Sequence, residues 1–310
     1  MRVVIAGATG LAGSALVAEF ETQGYEVIPI SRTHVDLMDN AATKGFLKDL
    51  APSLVVDAAA KVGGIGANDS YPVEFLIDNI RIQTNLMQAA HEANVEKFIF
   101  LGSSCIYPRN CPQPIKEEYL MSGPLEATNS AYAISKIAGL ELVNSYRKEY
   151  GHNWISLMPT NLYGPRDNFN LQSAHVLPAF IRRFIEATED NASSVSVWGS
   201  GAPMREFLHV TDFAKAVVLS AKEYNSSTHL NIGTGEDMTI KALALLIASL
   251  TGYKGEIIWD ETKPDGTPRK VLDVSRIKAM GWTPTTTLSD GILSTIAWYK
   301  SANSRGEVRK

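Results

Sequence analysis

The sequence predicts an α/β protein: a doubly wound parallel sheet with a second, smaller α/β lobe. Three observations predict it. Short β-branched runs alternate with longer amphipathic segments through the first 160 residues, a glycine-rich turn follows the first run directly, and the texture changes after Pro159. Taken in order, the strand candidates are Val3–Ala6, Val27–Ile30, Leu54–Asp57, Phe98–Gly102 and Ile155–Pro159. Between them Leu11–Thr22, Phe75–Ala93 and Tyr132–Glu149 read as helices, each long enough to cross back over the sheet. Beyond Pro159, the prolines Pro165, Pro178, Pro203, Pro264, Pro268 and Pro284 break the chain into shorter elements, with helix candidates at Ile240–Leu250 and Gly291–Tyr299. No Gly/Ser linker separates the halves, so the second lobe is expected to grow out of the first and the active cleft to lie between them. We expect residues 1–160, with a returning segment at about 205–232, to form the first domain, and the rest of 161–310 the second lobe.

Composition narrows the possible functions. The 310 residues are 45% hydrophobic and 20% charged, an ordinary globular mix with room for two domains of about 150 residues. Lys+Arg 29 against Asp+Glu 33 gives a net charge of -4 without long single-sign blocks, which speaks against nucleic-acid or membrane-surface partners. No run of roughly 18 apolar residues is present to span a bilayer. The opening Met1-Arg2-Val3-Val4-Ile5 enters a strand at once, so a secreted precursor is not expected. Two cysteines, Cys105 and Cys111, cannot make a disulfide framework, which fits a reducing cytoplasm. No metal site is expected.

The first strand ends in Gly7-Ala8-Thr9-Gly10-Leu11-Ala12-Gly13, where a helix pattern begins. Glycines let the chain turn tightly and bring backbone N–H groups against a pyrophosphate, with the helix dipole adding positive potential. This makes the first domain a Rossmann-type dinucleotide site, with Gly7, Thr9, Gly10, Leu11, Ala12 and Gly13 its phosphate loop. After the second strand, where an NAD-preferring protein places an acidic residue, stand Ser31 and Arg32. A cation there suits the extra phosphate of NADP, or else is a solvated loop charge; the first alternative points to NADPH. Asp36 and Leu37 follow at the place where an adenine edge would lie.

The fourth strand runs into Gly102-Ser103-Ser104-Cys105, and Tyr132-Ala133-Ile134-Ser135-Lys136 comes later. Tyr132 and Lys136, at i and i+4, share a helical face. An ammonium beside a phenol, together with a positive nicotinamide, favours the phenolate and predicts Tyr132 as an acid/base group near neutral pH. Ser103 can donate a hydrogen bond to a substrate carbonyl oxygen as charge develops on it.

With this order of elements, and with Ala60-Lys61-Val62-Gly63-Gly64-Ile65, Gly102–Pro108, Met158–Pro165, Val197-Trp198-Gly199-Ser200-Gly201, Met204–Val210 and Lys263–Lys270, nearly the whole chain resembles the extended short-chain dehydrogenase/reductase family. Within it the chain resembles the GDP-L-fucose synthase branch, whose members epimerise and reduce GDP-4-keto-6-deoxy-D-mannose. The resemblance implies a GDP-sugar substrate, NADPH as cofactor, and a homodimer formed through two sheet-covering helices, here those near Phe75–Ala93 and Tyr132–Glu149. It assigns catalytic roles to Tyr132, Lys136, Ser103, Cys105 and His175; from position alone a free cysteine such as Cys105 more often only packs. It adds Leu101, Gly102, Pro159, Asn161, Leu162 and His175 to the cofactor contacts, and gives Arg183, Trp198, Arg205 and Asp265 to the GDP-sugar. Ala8-Thr9 replaces a His-Arg pair of the branch, so the NADP preference rests more heavily on Arg32. Another nucleotide-sugar epimerase or a dehydratase is the rival reading. Dehydratases, however, place an acidic pair after the strand-end Ser/Thr, where this chain has Ser104-Cys105. A regulator that kept the fold and lost catalysis is disfavoured by the presence of both Tyr132 and Lys136.

Overall fold

The computed structural model describes residues 1–263 and 265–309; Pro264, one of the expected breaks, and Lys310 lie outside the described residues. The first half runs β1 (Arg2–Ala6), α1 (Leu11–Thr22), β2 (Glu26–Ile30), α2 (Asn40–Leu50), β3 (Leu54–Asp57), α3 (Ile65–Ser70), α4 (Pro72–Glu92), β4 (Lys97–Leu101), α5 (Ser130–Tyr150) and β5 (Ile155–Pro159). The second half contributes α6 (Val176–Glu189), α7 (Val210–Glu223) and α8 (Ile240–Thr251), with short strands between them and a last long helix, Leu288–Ser304.

The central sheet is parallel throughout, in the order Leu230–Ile232, β5, β4, β3, β1, β2. β3, β4 and β5 are buried along their whole length. Their continuous apolar runs follow from helices covering both faces, α1 with α7 in one layer and α2, α4 and α5 in the other. Strand order reverses between β1 and β3, and in such a sheet the crevice beyond the strand C-termini at that point is where ligands bind.

Two apolar cores are present. One lies on the sheet and takes in the returning segment through Leu208, Phe213, Val217, Leu230 and Ile232, and also Leu272, Ile277 and Trp282. The other joins α6, α8 and the last helix through Ile181, Phe184, Leu243, Ile247 and Ile296. The two halves are stitched where Asn161–Tyr163 pairs in parallel with Phe207–His209. A second stitch is the fully buried carboxylate of Glu206, which accepts hydrogen bonds from the backbone N–H groups of Gly235 at 2.7 Å and Leu272 at 2.9 Å.

The five strand and five helix expectations match elements within three residues at the N-terminal ends and five at the C-terminal ends. Helices α2, α6 and α7 carry no expectation from the sequence. Pro178, expected to break the chain, instead lies in the first turn of α6, where its missing N–H removes no helical hydrogen bond.

Candidate active site

The glycine loop is built by backbone crowding. Gly7 has φ +76°, and a Cβ on Gly13 would come within 2.1 Å of the Gly7 carbonyl oxygen, so only glycine fits the second position. Gly10 caps α1 without a side-chain hydrogen bond, and no acidic residue stands in the first turn. The N–H groups and the dipole of α1 therefore face the crevice free for an anion, which fits a dinucleotide pyrophosphate. Thr9 is exposed on this loop, while Leu11 and Ala12 open the helix.

Past β2, Arg32 is exposed and makes no ion pair or hydrogen bond among the described residues. Its neighbour Ser31 is engaged by His34, whose Nδ1 accepts from the Ser31 N–H at 3.2 Å. Asp36 closes a local turn, accepting from Met38 N–H at 2.9 Å, and the Leu37 carbonyl accepts from Asn85 Nδ2 at 2.8 Å. On the other side of the switch point, Gly102 donates to Leu157 O at 2.9 Å and has Met158 against it, fixing the end of β4 beside that of β5 at Pro159. Asn161 Nδ2 donates to the Glu206 carbonyl at 2.8 Å.

Ser103, Tyr132 and Lys136 meet at the C-terminal end of β4. Ser103 stands near enough to the Tyr132 phenol to favour its charged form, and the Phe75 ring of α4 meets Tyr132 edge-on at 6.2 Å. Lys136 is buried, donates from Nζ to the Leu101 carbonyl at 3.0 Å, and lies 5.9 Å from the Tyr132 ring centroid. One expectation is corrected here. Burial, and then the nearby Cys105, push Tyr132 above the usual tyrosine range rather than below it, and the Ser103 side chain only partly offsets them. The reason is desolvation, which penalises the phenolate. A phenol that keeps its proton is suited to donate one.

Cys105 lies in a short 3-10 turn, Ser104–Ile106, that Ser103 caps by accepting from the Cys105 N–H at 3.2 Å. Its Sγ receives Asn129 Nδ2 at 3.5 Å and Lys270 Nζ at 3.6 Å. Lys270 also acts on His175, which stands at the N-cap of α6; protein packed around the imidazole, and then the Lys270 charge, hold its pKa below the usual histidine range. Because His175 lines an open cleft and stays solvent-accessible, the burial part of that shift is moderated by water.

That cleft is a cavity of about 240 Å³ between the two halves, and it gathers Asn161, Leu162, His175, Arg183, Trp198, Arg205 and Asp265 in its walls. Trp198 is 52% exposed, so its ring is free to pack against a ligand. Arg183 donates to the Ser196 carbonyl at 2.8 Å and Arg205 to the Met204 carbonyl at 2.8 Å, which aims both guanidinium groups while leaving donors over. Burial lowers both arginines from their ordinary values. Asp265 is held by Ser200, which donates to its two carboxylate oxygens from N–H and Oγ, each at 2.8 Å.

The cavity does not take in Cys111, a half-buried thiol raised chiefly by burial. His209 caps α7 by accepting from the Thr211 N–H and meets the Thr211 hydroxyl at 2.7 Å, His229 bonds Tyr107 at 2.8 Å, and His91 bonds His152 at 2.8 Å; all are packing groups. Reading the sequence missed Lys270, Asn129, Asp57 and Glu206. Lys270 closes the Lys263–Lys270 motif, so the signal was there. Asp57 reads as one more strand residue, and nothing in the sequence marks Asn129 or Glu206.

Comparison with known proteins agrees with this geometry. The model of the NAD dependent epimerase/dehydratase family matches residues 3–233. The Escherichia coli GDP-L-fucose synthase is 48% identical over 314 residues, covering 98% of this chain and 98% of the relative. Among solved structures, a GDP-6-OMe-4-keto-L-xylo-heptose reductase from C. jejuni superimposes with TM-score 0.90 at 33% identity, over 97% of this chain and 98% of that one. A GDP-L-fucose synthetase from Naegleria fowleri bound to NADP does so with TM-score 0.91 at 27% identity, over 100% of this chain and 96% of that one. A Rossmann-like parallel sheet, a glycine loop on an open helix end, a Ser/Tyr/Lys group at the strand C-termini and a matching family model together lead to one conclusion: the chain belongs to the NAD dependent epimerase/dehydratase family.

Proposed function

We propose that the chain makes GDP-L-fucose in one pocket, by epimerising GDP-4-keto-6-deoxy-D-mannose at C3 and C5 and then reducing it at C4 with NADPH. The observation that carries this reading is the chain of neighbours Tyr132, Cys105, Lys270, His175: it leads from a carbonyl-binding group and a thiol to an imidazole, and that imidazole lines a cavity that also presents Arg183 and Arg205. Relatives named for that synthesis, matching nearly end to end, support the choice of sugar.

The glycine loop (Gly7, Thr9, Gly10, Leu11, Ala12, Gly13) would hold the NADPH pyrophosphate, Arg32 its extra phosphate, and Asp36 and Leu37 its adenine end. Leu101, Gly102, Ser103, Lys136, Pro159, Asn161, Leu162 and His175 would surround its nicotinamide half. When bound it supplies the hydride for C4. Ser103 and Tyr132 hold the C4 carbonyl oxygen, and charge developing on that oxygen acidifies the protons at C3 and C5. Cys105 takes those protons from one face and His175 returns them from the other. Tyr132 then gives its proton to the C4 oxygen, a role that its raised pKa serves, and Lys136 orients the nicotinamide ribose. Arg183 and Arg205 clamp the diphosphate, Trp198 packs beside the nucleotide, and Asp265 holds the loop of Ser200 at its edge.

The first domain takes residues 1–160 with 205–232, joined on its core by Leu272, Ile277 and Trp282, and the rest of 161–310 forms the GDP-sugar lobe. The protein works in the cytoplasm, in keeping with two free cysteines, and as a homodimer through α4 and α5, where Ile77 and Ile134 expose apolar surface beside Tyr71 and Val73. No described helix is long and apolar enough to cross a membrane. Mixing the protein with GDP-4-keto-6-deoxy-D-mannose and NADPH tests the function: NADPH oxidation with an L-fuco product by NMR is expected. A product epimerised at neither C3 nor C5 would contradict it.

A further inference from the structure

Asp57 is a carboxylate at the end of a strand otherwise made of Leu54, Val55 and Val56, and it is 1% exposed. It pairs in register with Ala6 of β1 and with Phe100 of β4. Opposed residues of a sheet present their side chains on the same face, so the carboxylate and the Phe100 ring are neighbours. Lys136 Nζ lies over that ring, 4.9 Å from its centroid, and donates to Leu101 O next in the strand. Of the two carboxylate oxygens, Oδ1 accepts from the Ala59 N–H at 3.2 Å, whereas Oδ2 is buried without a hydrogen-bond partner among the described residues. A buried charge so incompletely bonded persists only beside an opposite charge.

Lys136 is the charge that acts on Asp57, and Asp57 is the charge that acts on Lys136. Among the described residues no other charge acts on either group: β1 and β4 set Ala6 and Phe100 in register with Asp57, the Gln83 amide of α4 lies by the Phe100 ring, and the Tyr132 phenol of α5 lies by Lys136.

We propose that Asp57, across the Phe100 ring from Lys136 rather than in direct contact with it, is a positioning residue that keeps Lys136 charged in the wall of the cofactor crevice. This rests on the part given above to Lys136 in orienting the nicotinamide ribose. Burial drives the lysine below its usual range and Asp57 opposes that; burial also lifts Asp57 to about 6, so it takes a proton below that pH. Lys136 is then left without its counter-charge. In the other direction, removing the carboxylate lets Lys136 lose its proton at a lower pH.

The test is the pH profile of NADPH-dependent turnover in Asp57→Asn and Asp57→Glu, with thermal melting to follow folding. Asp57→Asn is expected to move the alkaline limb of kcat down by about one pH unit or more, and Asp57→Glu to restore it. An Asp57→Asn enzyme that folds and keeps the parental limb overturns the proposal. Should Asp57→Asn not fold, infrared titration of the buried carboxylic acid in the parent and in Lys136→Met decides the matter. The protonated band should persist to higher pH in Lys136→Met, and an unchanged midpoint overturns the proposal. The infrared readout needs no sugar nucleotide. Failure to turn over the GDP-sugar therefore counts against the function proposed above, and an unchanged carboxyl midpoint counts against Asp57.

Discussion

The site has two parts, here its two walls, and they are made differently: the group at the end of the sheet and the lining of the cavity. On the sheet side, Ser103, Tyr132 and Lys136 sit at the end of a buried strand and on the helix packed beside it, and backbone geometry aims them: Lys136 is tied to the Leu101 carbonyl and Gly102 to Leu157. On the lobe side, Trp198 and Arg205 flank a loop, Asp265 lies in another, and Arg183 looks in from α6. One hydrogen bond each aims Arg205 and Arg183, to Met204 O and Ser196 O, and two from Ser200 aim Asp265. The first wall has its geometry fixed by the fold, and the second by side chains chosen one at a time. A group doing chemistry needs placement within a fraction of an ångström, whereas a group binding a long, flexible diphosphate tolerates more.

Substitutions on the two walls should therefore differ in kind and size. The largest effect is expected for Tyr132→Phe, which removes the proton donor without disturbing the packed ring: kcat for C4 reduction should fall by roughly 10²- to 10⁴-fold while NADPH binding, followed by fluorescence titration, changes little. A comparable loss of NADPH affinity would place Tyr132 in binding instead. Arg205→Ala comes next. Losing a charge-assisted contact of about 1.5–3 kcal/mol should raise KM for the GDP-sugar roughly 10- to 100-fold and spare NADPH affinity, as initial rates and titration would show. Ser200→Ala is the mildest. It frees only Oδ2 of Asp265, since the backbone N–H of residue 200 still donates to Oδ1, at a cost of about 1 kcal/mol, so KM should rise only several-fold and kcat stay near the parent value. A kcat effect from Ser200→Ala as large as that from Tyr132→Phe would erase the distinction between the walls.

The same contrast explains what the sequence discloses. Strands β1, β3 and β5, the glycine loop and the Tyr132/Lys136 spacing are legible because period, glycine placement and helical register are local properties of the chain. Arg183, Trp198, Arg205 and Asp265 were reached through resemblance alone; nothing local marks a tryptophan as half exposed or an Asp in Pro-Asp-Gly as more than a turn former. Helix α6 stayed hidden because Pro178 looks like a breaker until its place in the first turn is known. Lys270 and Asp57 escaped notice for another reason: their partners, Cys105 and Lys136, lie 165 and 79 residues away in the chain, and only the folded arrangement brings the charges together.

The central claim is that one pocket both inverts two carbons and reduces a third, with the thiol of Cys105 as the base. Its most direct measurement is deuterium uptake at C3 and C5 of GDP-4-keto-6-deoxy-D-mannose in D₂O, comparing the parent with Cys105→Ser. The account predicts rapid exchange at both carbons in the parent and almost none in Cys105→Ser, whose reduction of C4 should survive on the unepimerised sugar. Parental exchange rates in Cys105→Ser would contradict it.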